Sequence, residues 1–172
     1  ITAGSALDVE AASTISMSPG ATASLAGVAR FVAAGDLALT GINAGKVSII
    51  SQSGSLHDAG DVTTDIRASD VRLKAGSQVG TLGAGVDNAI EVDAARLSLH
   101  SGLGANISNA RALEIGTVDA VLQAVVFAGG TQTVSDAAQT GLVSGGTAVM
   151  QVTSGDLVVS DAVNVAGDLK LN

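Results

Sequence analysis

Val71-Arg72-Leu73-Lys74-Ala75-Gly76 and Leu97-Ser98-Leu99-His100-Ser101-Gly102 are one phrase written twice, 26 residues apart. Val47-Ser48-Ile49-Ile50-Ser51-Gln52-Ser53-Gly54 writes it a third time, 24 residues earlier. In each copy aliphatic residues alternate with other residues, and a small residue and a glycine follow. Alternation with period two marks a strand that buries one face, and the glycine provides the bend that ends it. The same apolar–x–apolar unit recurs at Leu7-Asp8-Val9, Leu37-Ala38-Leu39, Ile90-Glu91-Val92, Leu113-Glu114-Ile115, Leu157-Val158-Val159, Val163-Asn164-Val165 and Leu169-Lys170-Leu171. The x positions are mostly polar or small, which predicts that they face outward.

Strands of three to five residues do not stand alone as hairpins. They become stable when each stacks on its equivalent in the next repeat, which is the logic of a solenoid. Between the copies lie second strands, Ser55-Leu56-His57 and Gln78-Val79-Gly80, and third strands at Ile66 and Ile90-Glu91-Val92. Two or three short strands per 20–26 residues is the size of one coil of a parallel β-helix. The expected fold is therefore all-β, a parallel β-helix of about seven coils, forming one rod about 35 Å long at the usual strand spacing. The whole chain, 1–172, reads as one solenoid segment and as an excerpt of a longer repetitive protein. The phase is irregular in two places. Leu97 to Leu113 is a step of only 16 residues, and residues 120–153 do not fall into register. Loop insertions of variable length account for such breaks.

Composition agrees. The 172 residues include 22 Gly, one Pro, two Phe and no Cys, Trp or Tyr, and hydrophobic residues make up 47%. A core without rings must be narrow and built from thin aliphatic layers. The scarcity of Glu, Lys, Arg and Gln argues against long helices. Without cysteine there is neither a disulfide scaffold nor a thiolate zinc site. The net charge of −8 and the lack of stacking rings argue against nucleic-acid binding. The longest apolar run, residues 120–129, is too short for a membrane helix and contains Gln123.

Candidate chemistry is sparse. His57 and His100 each follow an inward leucine and read as outward-facing residues rather than ligands. Asp58, Asp61 and Asp65 cluster and could contribute to a calcium site, which needs six to eight oxygens. The calcium-binding nonapeptide pattern is absent, because Gly129-Gly130-Thr131 and Gly145-Gly146-Thr147 lack the following Gly and Asp. Turn-capping is the preferred role for these carboxylates. Asp65, Arg67, Asp70, Arg72 and Lys74 form the densest charged run, expected to point outward and to pair between adjacent coils, where exposed pairs contribute little. A glycan-acting β-helix enzyme is the rival from another class. It would need three carboxylates within about 6 Å of one another in a surface groove, and no Trp or Tyr is present to stack on a sugar. Thr63-Thr64, Thr131 and Thr133 do not recur with the coil period, which argues against an ice-binding threonine row. No catalytic, cofactor or metal residue is assigned, and no enzymatic activity is expected.

Residues 68–118, from Ala68-Ser69-Asp70-Val71 to Glu114-Ile115-Gly116-Thr117-Val118, resemble the shaft repeats of filamentous-haemagglutinin-like proteins and other giant bacterial surface proteins. Val71-Arg72-Leu73-Lys74-Ala75-Gly76 with Val79-Gly80-Thr81 matches one such phrase, and Leu97-Ser98-Leu99-His100-Ser101-Gly102 with Ile107-Ser108-Asn109 matches the next. The likeness is loosest over residues 120–150. It implies a right-handed helix, export across the bacterial envelope, and a mid-shaft position in an adhesin stalk or extracellular fibre. The alternative within the non-enzymatic class is a self-assembling subunit of a filament, sheath or surface layer, associating through coil ends or lateral packing. Contact with host or neighbouring cells would then fall to other regions of the protein.

Overall fold

The repeated phrase forms strands wherever it occurs, and every strand of the solenoid pairs in parallel with its counterpart one coil away. A computed structural model describes residues 1–59, 63–83, 88–125 and 129–172. The first coil comprises β1 (Ala6–Ala11), β2 (Ile15–Ser16) and β3 (Ala23–Ser24), and the second β4 (Val28–Ala33), β5 (Leu37–Leu39) and β6 (Ile42–Asn43). The third has β7 (Lys46–Ser51), β8 (Leu56–Asp58) and the start of β9 (Ile66–Ala75). The fourth continues through β9 and β10 (Gln78–Val79) into β11 (Ile90–Ser101), and the fifth completes β11 and adds β12 (Gly104–Asn109). The sixth holds β13 (Leu113–Ile115), an inserted pair β14 (Thr117–Val125) and β15 (Thr131–Thr140), then β16 (Leu142–Ser144) and β17 (Ala148–Val152). The seventh has β18 (Leu157–Val159), β19 (Val163–Val165) and β20 (Leu169–Leu171). No helix occurs among the described residues, so none is long and apolar enough to cross a membrane. The parallel β-helix of about seven coils is thus the architecture observed.

Register explains the core. On the first face Leu7, Ala29, Val47, Val71 and Leu97 stack in one inward column. Val9, Phe31, Ile49, Leu73, Leu99, Leu142 and Val163 stack in the next. On the second face Ile15, Leu37, Leu56, Val79, Ala105, Ala148 and Leu169 do the same. These columns, with those of the third face, make one continuous aliphatic interior. Burial of each Val, Leu or Ile contributes about 1.5–3 kcal/mol, and only stacking provides it, because each layer is the lid of the layer below.

β9 and β11 are longer than the expected three to five residues because each rounds a corner. Their ladder skips Ser69 and Ala95, with Ala68 opposite Ala94 and Asp70 opposite Arg96. The third-face ladder then passes from β11 to β12, with Ile90, Glu91 and Val92 opposite Ile107, Ser108 and Asn109. Asn109 is fully buried, and its amide stands in for a strand: Oδ1 accepts the N–H of Ala94 at 2.9 Å, while Nδ2 donates to Ala94 O and Arg111 O. β12 and β17 each run through both the second-face and the third-face ladders as one strand. Ser18-Pro19-Gly20 forms a loop between β2 and β3, closed by the N–H of Ala21 on Ser18 O and with Gly20 at φ 78°.

The break in phase after Ile115 has a specific cause. Gly116 N–H donates to Leu97 O, Gly141 O accepts the N–H of Leu99, and Gly141 N–H donates to Gly116 O. In a parallel ladder one residue opposite Ser98 would provide both of the first two bonds. Gly116 and Gly141 share that residue's work, and the chain between them leaves the coil as the antiparallel pair β14–β15. The phrase begun at Glu114-Ile115 resumes at Leu142-Val143-Ser144-Gly145, opposite Leu99-His100-Ser101-Gly102. Aligning Leu113 with Leu97 is therefore corrected: Leu97 pairs with Ile115, two residues on. The inserted pair folds back over the outer side of β11, β9, β7, β4 and β1.

Candidate functional site

Two polar constellations stand out, one between coils and one under the inserted pair. The first is made of carboxylates. Asp58 ends β8, Asp65 immediately precedes β9, and Glu91 is the second residue of β11. Because Ile66 pairs with Val92, the ladder puts Asp65 beside Glu91 of the next coil. One carboxylate oxygen from each of Asp58, Asp65 and Glu91 lies within 4.8 Å of the others. Asp65 is 0% exposed. Its main chain is fixed by the N–H of Ile42 on its carbonyl, at 2.7 Å. Its Oδ2 accepts the N–H of Glu91 at 3.1 Å, and its buried Oδ1 has no hydrogen-bond partner. Burial pushes the Asp65 carboxyl up to about 8, the negative charges of Asp58 and Glu91 push the same way, and the Glu91 N–H only partly offsets them.

Of the three aspartates that the sequence groups together, Asp58 and Asp65 do meet, and Asp61 lies outside the described residues. Asp65 does not cap its own turn; it reaches across to the following coil. Glu91 is the member that sequence grouping misses. The signal is the coil period, since the 26-residue step that carries Val71 onto Leu97 also carries Asp65 onto Glu91. The spacing of the three carboxylates satisfies the distance set for a glycan-acting enzyme, but the place does not. Asp65 has no solvent-facing surface, and the one described aromatic side chain, Phe31, is in the core. A shallow groove of about 270 Å³ along Thr22, Ser24, Asn43, Thr64 and Arg67 holds no carboxylate.

The second constellation corrects the expectation that the x positions of the first face meet water. Ser48 and Ser98 are fully buried and Arg30 and Arg72 nearly so, because β14 and β15 cover them. Asp136 of β15 is the hub. Its Oδ1 accepts Arg30 Nε at 3.0 Å and its Oδ2 accepts Ser48 Oγ at 2.7 Å. Arg30 also pairs with Asp8 and Glu10, whose hydrogen bonds, with that of Asp136, outweigh burial and hold its guanidinium above the ordinary value. Arg72 donates to Ala137 O and to Ser48 Oγ. Burial, with the Arg30 charge nearby, lowers its affinity for the proton, and Asp136 opposes this. Gln139 Nε2 donates to Leu73 O, and Lys46 pairs with Asp119 at 2.7 Å. The Lys46 charge and hydrogen bond hold Asp119 below the usual carboxylate range. Val118, Ala120 and Leu122 fill the apolar half of this interface.

Three other groups of charges pair at the surface. Arg96 bridges Asp70 and Glu114, and Asp93 receives Arg67 and Arg111. His57 Nε2 lies 3.9 Å from an Asp36 oxygen, whereas His100 Nε2 faces Thr140 O at 3.2 Å, on a different coil. Thr131 and Thr133 belong to β15 and Thr63-Thr64 precede β9, so they form no common row. No family model, curated protein or solved structure matches this chain.

Proposed function

We propose that these coils are a length of structural shaft in a large secreted bacterial surface protein, one that projects or builds an extracellular fibre and performs no chemistry of its own. The observation that carries this reading is the continuity of parallel ladders through seven coils around one aliphatic interior. Such a stack bears load along its axis through rows of backbone hydrogen bonds, and no single layer is independently stable. The ion pairs between coils tie neighbouring layers at the surface. The likeness of the repeat phrase to adhesin shafts supports the bacterial cell surface as its location.

A second reading, a subunit that stacks end to end with copies of itself, draws on the same parallel ladders, because a stack of coils can continue from one chain onto the next through its edge strands. Two measurements test and separate these readings. Antibodies to the chain should label intact, unpermeabilised cells of the source organism, and the purified chain should sediment as an elongated monomer. Filaments that lengthen with concentration would transfer the proposal to the self-assembling subunit. Labelling that appears only after lysis would overturn both.

A further inference from the structure

We propose that Asp58, Asp65 and Glu91 form a calcium site that clips the end of β8 and the start of β9 in the third coil onto the fourth coil. Three observations converge. Oxygens from the three carboxylates lie within 4.8 Å of one another, inside the span of roughly 5 Å available to two oxygens that each sit 2.3–2.6 Å from one Ca²⁺. Asp65 is completely buried, and its Oδ1 has no hydrogen-bond partner although Oδ2 is held by the Glu91 N–H. A buried carboxylate oxygen left in that state costs free energy unless a cation or proton satisfies it. The three side chains offer only oxygen, which selects a hard cation over zinc or copper. Calcium suits the cluster better than magnesium, because it accepts irregular shells and mixed carboxylate and water ligands, whereas Mg²⁺ demands a tight octahedron at 2.0–2.1 Å.

The position gives the ion a structural task. Asp58 ends β8, Asp65 immediately precedes β9, and Glu91 belongs to β11, which pairs with β9. One ion therefore ties the end of β8 to the start of β9 and fastens both to the next layer. The site does not depend on the shaft proposal and is tested on the isolated 172-residue chain.

Calorimetric titration of the EDTA-stripped chain with CaCl₂ should give one ion per chain, and CaCl₂ should raise Tm saturably while MgCl₂ raises it less. Asp65→Asn and Glu91→Gln should each weaken binding at least about tenfold, and Asp58→Asn, at a half-buried position, provides a third variant if either of these fails to fold. An Asp156→Asn control should bind as the parent does. Absence of calcium binding to the parent chain would overturn the proposal. So would binding that survives in the folded cluster variants, and equal protection by magnesium would overturn the choice of ion.

Discussion

At the scale of single residues, the tightest constraint in the solenoid is on its corners rather than its core. A Cβ on Gly102 would stand 2.0 Å from the carbonyl oxygen of Gly76, and one on Gly145 would stand 1.9 Å from that of Gly102. The obstacle is backbone in both cases, so no side-chain rotation relieves it. Each coil's corner carbonyl occupies the space where the next coil's side chain would begin. The glycine that closes the repeated phrase is thus required by the stacking distance, not only by the bend. Gly102→Ala should cost about 1–3 kcal/mol, the range for forced overpacking, because two coils must part for the methyl group. Gly4→Ala, where a Cβ meets nothing within 4 Å, should change stability by no more than about 0.5 kcal/mol. Urea denaturation of the two variants beside the parent checks this, and equal midpoints would refute the corner constraint.

At the scale of elements, β14 and β15 are an insertion into a single strand position. Their neck glycines, Gly116 and Gly141, together make the bonds of the one residue missing opposite Ser98. Replacing residues 116–141 with one serine should therefore restore an unbroken strand, Leu113-Glu114-Ile115-Ser-Leu142-Val143-Ser144, aligned with Val71-Arg72-Leu73 and Leu97-Ser98-Leu99. That variant should fold cooperatively with an unchanged far-ultraviolet β signature. It should be less stable than the parent, because Arg30 and Ser48 lose Asp136, and Val118, Ala120 and Leu122 no longer cover the face. Loss of all cooperative unfolding would mean that β14–β15 is integral to the coil. The same element marks where pattern reading stops. Period-two alternation locates strands such as β1, β5, β7, β9, β11 and β13. It leaves β2, β3, β4, β6, β16 and β17 unassigned, because they are too short or too poor in alternating aliphatics to stand out. It mistakes the outer face of β7, β9 and β11 for a wet one, since nothing local to Ser48, Arg72 or Ser98 says that a segment far along the chain lies over them. For the same reason Asp58 and Asp65 are visible as neighbours in sequence, whereas Glu91 joins them only once the 26-residue register is known.

At the scale of the molecule, stability in a stack is distributed by how many sides of a layer are covered. The first-face parts of β9 and β11, residues 70–75 and 96–101, pair on both edges, bury Leu73 and Leu99 inside, and carry β14 and β15 across their outer side. β18, β19 and β20 pair on one edge only, with Val158, Val159, Leu169 and Leu171 exposed. Opening the last coil breaks one ladder, whereas opening the middle breaks two and also detaches the inserted pair. Amide hydrogen exchange in the native chain should therefore be slowest over 70–75 and 96–101, approaching the rate set by global unfolding, and fastest among the paired strands over 169–171. In the variant lacking residues 116–141, protection over 70–75 should fall toward that of coils covered only from inside, and 169–171 should change little. Uniform protection along the rod would instead mean that the coils open together, and additive layer-by-layer stabilisation would have to be abandoned for this molecule.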